Sequence, residues 1–135
     1  NIMNKSEYKT RLERILDMPL AENAIRQWPQ SGELVRTKKG ISHVESHFEG
    51  FKLGIGRRIQ LEDKLIVEWT SDYGDGKLHR NVTIADIKNG EAIAVTDYWG
   101  APFERPEWRI GLTEPLDNTS IWPNKENLTG DKEKQ

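Results

Sequence analysis

Apolar and polar positions alternate most regularly between residues 65 and 99. The stretches LIVEWTSDY, LHRNVTIADI and EAIAVTDYW each repeat with period two, as strands buried on one side do. Gly74-Asp75-Gly76-Lys77 and Lys88-Asn89-Gly90 separate them, and Asp-Gly and Asn-Gly pairs accept the positive φ angles of tight hairpins. The pattern predicts a meander of three antiparallel strands. Upstream the period changes. Tyr8, Leu12, Ile15 and Leu16 predict an amphipathic helix over residues 7–17, capped by Ser6 and broken at Pro19, with residues 20–22 a corner. Residues 23–28 read as a short strand with Ile25 and Gln27 on one side and Ala24, Arg26 and Trp28 on the other. Pro29 ends it, Gln30-Ser31-Gly32 turns, and residues 33–36 return as a second strand.

Lys38-Lys39-Gly40 reads as a loop. Ile41, Val44, Phe48 and Phe51 recur at three- and four-residue steps and predict a helix over residues 42–49, stopped by Gly50. Residues 57–61 form a further strand, and Glu62-Asp63-Lys64 turns into the meander. Beyond Trp99, two prolines and two aromatics predict an extended segment that packs Phe103 and Trp108 on the sheet or over a pocket mouth. From Thr113 onward apolar residues are sparse. Residues 1–115 therefore read as one domain and 116–135 as a tail, mobile at its end, with Ile121 and Trp122 as its only anchors.

Composition narrows the function classes. The 135 residues carry 31% charged side chains and a net charge of −2, which offers no basic field for nucleic acid. No apolar run approaches the ~18 residues of a membrane span, no leader is visible at the start, and the lack of cysteine fits a reducing cytoplasm, where the protein is expected. The absence of cysteine removes disulfides, a thiol nucleophile and thiolate metal ligands.

One position breaks the meander's pattern. Asp97 shares a strand face with Ile93, Val95 and Trp99. An acid on an apolar face must be paired, be neutral or face a cavity, and burial would raise its pKa toward that of a general acid or base. The plain alternative is a structural aspartate bonded to a backbone amide or to Arg109. Two other patterns carry less chemistry. His43 and His47 stand four apart on the second helix, but on its polar side and without a third ligand, so they read as surface and no metal is expected. Gly54-Ile55-Gly56-Arg57-Arg58 lacks the third glycine and following helix of a dinucleotide site, so no cofactor is expected.

Helix, strand pair, helix and long meander make an α+β plan, in which a curved antiparallel sheet with N-terminal helices forms a cone-shaped pocket. Trp28-Pro29-Gln30-Ser31-Gly32-Glu33, Asp72-Tyr73-Gly74-Asp75-Gly76-Lys77, Ile87-Lys88-Asn89-Gly90, Tyr98-Trp99-Gly100-Ala101-Pro102-Phe103 and Pro106-Glu107-Trp108-Arg109 carry a resemblance to the SnoaL-like proteins of the nuclear transport factor 2-like (cystatin-like) superfamily. The resemblance covers residues 20 to 115, with a leading helical region shorter than the family's. It implies a pocket for a small, mostly apolar molecule, and a homodimer. The superfamily includes ketosteroid isomerases, epoxide hydrolases and polyketide cyclases, so fold does not fix the reaction.

At the isomerases' base position stands Trp28, and near their second acid stands Thr83, which argues against that chemistry. The epoxide hydrolases need an Asp–Arg–Asp set with a tyrosine and an asparagine. Asp97 falls at the position of the last-strand aspartate, with Tyr98 matching the tyrosine that follows it, and Gln27 falls near the asparagine, whereas Trp69, Ser71 and Ile25 occupy the set's arginine, second-aspartate and tyrosine positions. His79 and Arg109 are the candidates for the missing cation. The expected catalytic group is therefore Asp97 assisted by Gln27, Tyr98 or His79, in an isomerisation, cyclisation, dehydration or hydrolysis. The expected ligand wall is Trp28, Trp69, Ser71, Trp99, Phe103, Trp108 and Arg109. A non-catalytic binding or dimerisation module of the same fold is the alternative.

Overall fold

The computed structural model describes residues 8, 10–116 and 121–131. The meander forms as its pattern predicts: β4 (Lys64–Asp72), β5 (His79–Lys88) and β6 (Glu91–Gly100) pair antiparallel in sequence order. Asn89 and Gly90 close the second hairpin with φ of 53° and 78°, the two positive angles that a two-residue hairpin turn requires. Four more strands extend this unit into a seven-stranded sheet. Its order is β2 (Glu33–Arg36), β1 (Leu20–Trp28), β6, β5, β4, β3 (Lys52–Gln60) and β7 (Thr129–Gly130). Only the β1–β6 pair is parallel.

Two short helices cover one face. α1 (Arg11–Leu16) packs on β4, and α2 (Lys38–Glu45) packs on β1 and β2. The core lies between: Leu12, Ile15 and Leu16 from α1, Ile41 from α2, and Leu65, Val67, Ala85 and Val95 from the strands are all buried. We call this the inner face of the sheet. Among the described residues no helix is long and apolar enough to cross a membrane.

The structure moves several element boundaries. The cap of α1 is Thr10, whose hydroxyl accepts Glu13 N while the Glu13 carboxylate accepts Thr10 N, a closed capping box; Ser6 lies outside the described residues. β1 begins at Leu20, directly after Pro19, where a corner was expected. α2 begins at Lys38, because Thr37 caps it by accepting Gly40 N at 3.0 Å, so the expected Lys38-Lys39-Gly40 loop is its first turn. In β6 a bulge between the Asp86 and Ile87 pairings shifts the phase, and Ala92 takes the buried place expected of Ile93. The first meander turn is a longer loop than the expected tight hairpin, and Asp72 organises it by accepting Gly74 N at 2.8 Å and Gly76 N at 3.0 Å.

The largest departure is at the C-terminus. Residues 121–131 lie back along the sheet, with Leu128 buried and Thr129–Gly130 paired to the edge of β3. Gly54 and Gly56 make the room. A Cβ on Gly54 would lie 2.8 Å from Leu128 Cδ2 and 2.9 Å from Pro123 Cβ, and one on Gly56 would lie 3.0 Å from Ile121 O. Asp131 then reaches Arg11 and Arg14 in ion pairs of 2.8 and 2.9 Å. Phe103 and Trp108, expected to pack on the sheet, are exposed.

Two outcomes follow. Gly54→Ala forces a clash typically costing about 1–3 kcal/mol, and is expected to free residues 121–131, read as faster hydrogen exchange at Leu128–Gly130 with the meander unchanged. The backbone bonds to Asp72, led by that from Gly74, hold its carboxyl below the usual value. Its contribution is therefore present above the unfolded pKa and lost as pH falls through the lower folded one. Asp72→Ala should cost about 1 kcal/mol near neutral pH and less in acid, as measured by urea unfolding at several pH values.

Candidate functional site

Period two and the register together fix which side chains face the helices. Trp69 sits opposite Asn81, Asn81 opposite Trp99, and Thr83 opposite both Val67 and Asp97, so these residues share the inner face. Asp97 is 2% exposed. Its Oδ2 accepts from Arg26 Nε at 2.5 Å and Trp28 Nε1 at 2.9 Å, and its Oδ1 accepts from Thr83 Oγ1 at 2.6 Å. The Thr83 hydroxyl itself accepts from Trp69 Nε1 at 2.8 Å, so its own proton is committed to Asp97.

Arg26 is the centre of this array. It is 7% exposed, between Ala24 and Trp28 on the inner side of β1. Its Nε is held by Asp97 and its Nη1 by Glu45 Oε2 at 3.0 Å, which makes an acid–guanidinium–acid line of Asp97, Arg26 and Glu45. Burial pulls its pKa down, but the charges of Asp97 and Glu45 outweigh burial and hold it above the ordinary value, so it stays a cation. Nη2 makes no hydrogen bond to the described residues. Glu45 also binds the start of α1: its Oε1 accepts Arg11 N at 2.8 Å and its Oε2 accepts Leu12 N at 3.0 Å. These are two of the amides that a helix start leaves unpaired. Burial pushes the Glu45 carboxyl up, against the opposing pull of Arg26 and those amides.

The array borders a cavity of about 410 Å³. Trp28, Phe48, Phe51, Trp69, Tyr73 and Trp99 supply its aromatic walls, Ile15 and Val44 add apolar surface, and Arg11, Arg26, Glu33, Glu45 and Asp97 supply the polar lining. The rings brace one another edge to face, Trp28 on Trp99 and Phe51 on Tyr73. Burial raises the Tyr73 phenol above its usual value. Arg11 fixes the wall between the helices: its guanidinium donates to the carbonyls of Glu45 and Phe48 and lies 4.5 Å from the Phe51 ring centre. The volume suits a small molecule, and the aromatic walls suit an apolar one. Arg26, whose Nη2 has no hydrogen-bond partner among the described residues, is part of that lining.

Of the residues singled out from the sequence, Asp97, Trp28, Trp69 and Trp99 line the cavity together. The others do not. Gln27 and Tyr98 alternate with Arg26 and Asp97 and so project from the outer face, where Gln27 pairs beside Leu34 and Thr96. Ser71 is buried behind the wall, accepting from Asn81 Nδ2 at 3.0 Å. His79 stacks edge-on against Tyr73 at 5.1 Å, with Tyr73 lining the cavity and His79 not. Phe103, Trp108 and Arg109 lie on a segment outside the cavity lining, and the cation beside Asp97 is Arg26, not His79 or Arg109. His43 and His47 are exposed, edge-to-face at 5.6 Å, and no group of three metal-ligating side chains forms among the described residues.

Sequence reasoning passed over Arg26 and Glu45. Both carried a signal: Arg26 alternates with Ala24 and Trp28, and Glu45 is four residues after Ile41 and three before Phe48, within the apolar stripe.

Several solved structures are similar to this chain. An NTF-2-like protein of unknown function from Burkholderia xenovorans LB400 is 27% identical over 73% of this chain and 77% of that one, with a TM-score of 0.61. A protein named as a candidate ketosteroid isomerase from Kribbella flavida DSM 17836 is 23% identical over 74% of each chain, with a TM-score of 0.63. A hypothetical protein of ketosteroid isomerase-like fold from Catenulispora acidiphila DSM 44928, in complex with trimethylamine, is 12% identical over 60% of this chain and 69% of that one, with a TM-score of 0.50. No family model matches the sequence, and no curated protein matches it.

Replacing Arg26 by methionine leaves two buried carboxyls without their shared cation. The expected loss is about 3–5 kcal/mol of folding stability at neutral pH. Asp97→Asn and Glu45→Gln in the same chain should restore much of it, as read from urea unfolding of the single and triple variants. Glu45 also gives a pH signature. With its folded pKa above the unfolded one, the folded state binds more protons between the two, and stability falls as pH rises through that window. Glu45→Gln should flatten that part of the stability profile.

Proposed function

The chain has the nuclear transport factor 2-like fold, and on that premise we propose that it binds a small, mostly apolar molecule carrying one oxygen acceptor, in the aromatic cavity above Asp97, Arg26 and Glu45. One observation carries this reading: a cavity of about 410 Å³ whose walls are aromatic and whose buried polar groups converge on a single guanidinium. Nη2 of Arg26 is placed to take the ligand's oxygen, and the rings of Trp28, Trp69 and Trp99 take its carbon skeleton. The ligand-bound neighbour with trimethylamine fits a pocket that admits small molecules.

The chemistry this array suits is acid–base work at a carbon–oxygen group. An acid–arginine–acid line is what the epoxide hydrolases of the superfamily need. Here its arginine comes from β1 and its second acid from α2, in place of the positions held by Trp69 and Ser71. Arg26 would hold developing negative charge on oxygen, and the remaining lone pair of Asp97 Oδ1 would receive a proton. A second reading is a binding module without turnover. The engagement of both carboxylates, each already accepting three hydrogen bonds, favours it. In either reading the outer sheet face, beyond the corner that the C-terminal segment covers, is the surface through which two copies pair.

Cyclic ketones, lactones and epoxides of fitting size are the probes. Binding followed by tryptophan fluorescence should give a saturable change that Trp99→Ala weakens about tenfold or more. For an enzyme, Asp97→Asn abolishes turnover of the bound compound and leaves its affinity within a few-fold. For a binding module, no compound is consumed by the unsubstituted chain. Failure of every probe to bind overturns the pocket reading.

A further inference from the structure

The segment after β6 displays apolar side chains that the other described residues do not cover. Phe103 is 82% exposed, Trp108 74% and Leu112 77%, and Ile110 and Leu116 are also exposed. Loose hydrophobic tails collapse onto their own domain, but this one is held in shape. Arg105 Nη1 donates to Thr113 O at 2.8 Å and to Thr113 Oγ1 at 3.1 Å, closing a loop over residues 105–113. Inside it, Arg109 N donates to Pro106 O and Leu112 N to Arg109 O, both at 2.9 Å, while Gly111 turns with φ of 96°. Trp108 stacks with its neighbour Arg109 and with no other ring among the described residues. A stapled loop presenting a tryptophan and two aliphatic side chains has the build of a preorganised recognition element.

The same chain carries a second uncovered apolar surface. On the outer face the register aligns Ile59, Ile66 and Ile84 in one row across β3, β4 and β5, continued by Thr96 and Gln27 to Leu34. Ile59, Leu34 and Tyr98 on this face are exposed. Among the described residues, the segment 121–128 covers one corner of it, over Gly54, Thr70 and Arg80, where Arg80 donates to Pro123 O. The arm brings Glu104 and Glu107, and the edge of the face brings Arg36 beside Ile25.

We propose that residues 101–116 form an exchanged arm: in a pair of chains, the stapled loop of each seats Trp108 and Leu112 on the outer sheet face of the other. The occupant of the face is a second copy, because one chain supplies both halves of the fit and the arrangement closes under a two-fold axis. The areas agree. An aromatic side chain buries ~150–250 Å², so Trp108 with Leu112 removes on the order of 300–400 Å² from each surface. The reciprocal pair then reaches roughly 1,200–1,600 Å², within the range of a standard interface. The proposal rests on the pairing of two copies through that face and adds the arm that fixes it.

The chain has no cysteine, so single cysteines report contacts without background. Leu112→Cys in one preparation and Ile84→Cys in another are mixed, allowed to exchange and treated with a short bismaleimide, with Leu34→Cys as a second face probe. The expected result is a mixed dimer linked arm to face. A dimer by analytical ultracentrifugation that crosslinks only face to face overturns the arm and leaves the pairing standing. A monomer at all concentrations overturns both. In the unlabelled chain, Trp108→Ala should weaken dimerisation at least tenfold with the far-ultraviolet dichroism of the fold unchanged, and an unchanged dimer affinity contradicts the proposal.

Discussion

The structure depends on keeping one guanidinium charged where little water reaches. Arg26 is nearly excluded from solvent and is held there by Asp97 from the sheet and Glu45 from a helix. Desolvating an ion costs several kcal/mol, and only well-placed counter-charges with further hydrogen bonds offset that. Here they do so through the surrounding architecture. Asp97 draws in the indole of Trp28 and, through Thr83, that of Trp69. Glu45 draws in the first amides of α1. The sheet, both helices and two walls of the cavity are thus tied to a single charge. The arrangement that positions the cavity is the same one that gives it polarity.

This coupling bears on what the cavity can do. A buried ion line is a weak source of stability compared with apolar packing, since well-packed hydrophobic side chains of similar volume often do as well or better. What it supplies is a fixed guanidinium at the border of an aromatic-walled cavity. Arg26 cannot swing away from Asp97 and Glu45 without leaving them unpaired, so Nη2 keeps its orientation without a ligand to hold it. A site organised in that way loses little entropy when an acceptor arrives. Arg11 adds the same kind of restraint at the rim, joining Phe48, Phe51 and the C-terminal Asp131.

Legibility followed the periodicity. The meander, the strand pair on either side of Pro29 and the buried face of Asp97 were all readable, because strands buried on one side must alternate and Asn-Gly must turn. Arg26 was placed on the correct side of its strand by the same rule but given no role; the pairing with Asp97 and Glu45, which joins residues far apart in the chain, explains its burial. Glu45 was hidden between two histidines that draw attention as metal ligands, although its helical phase matched Ile41 and Phe48. Gln27 and Tyr98 were carried by likeness to relatives against the alternation that sends them outward. The C-terminal segment was unreadable for another reason: its docking depends on space left by Gly54 and Gly56, and a sequence displays a missing side chain without showing what fills the gap.

The central claim is that a ligand's oxygen meets Arg26 within the aromatic cavity. The most direct measurement is the nitrogen-15 and proton shifts of Arg26 Nε–H and the indole N–H groups of Trp28 and Trp69, recorded while a cyclic ketone or lactone is added. All three donors belong to one bonded array with Asp97 and Thr83. The account predicts saturable shifts at all three, at one affinity, and their loss in Asp97→Asn for the Arg26 and Trp28 signals that no longer share an ionised partner. Binding that moves only signals of the outer face, with Arg26, Trp28 and Trp69 unchanged, would contradict it.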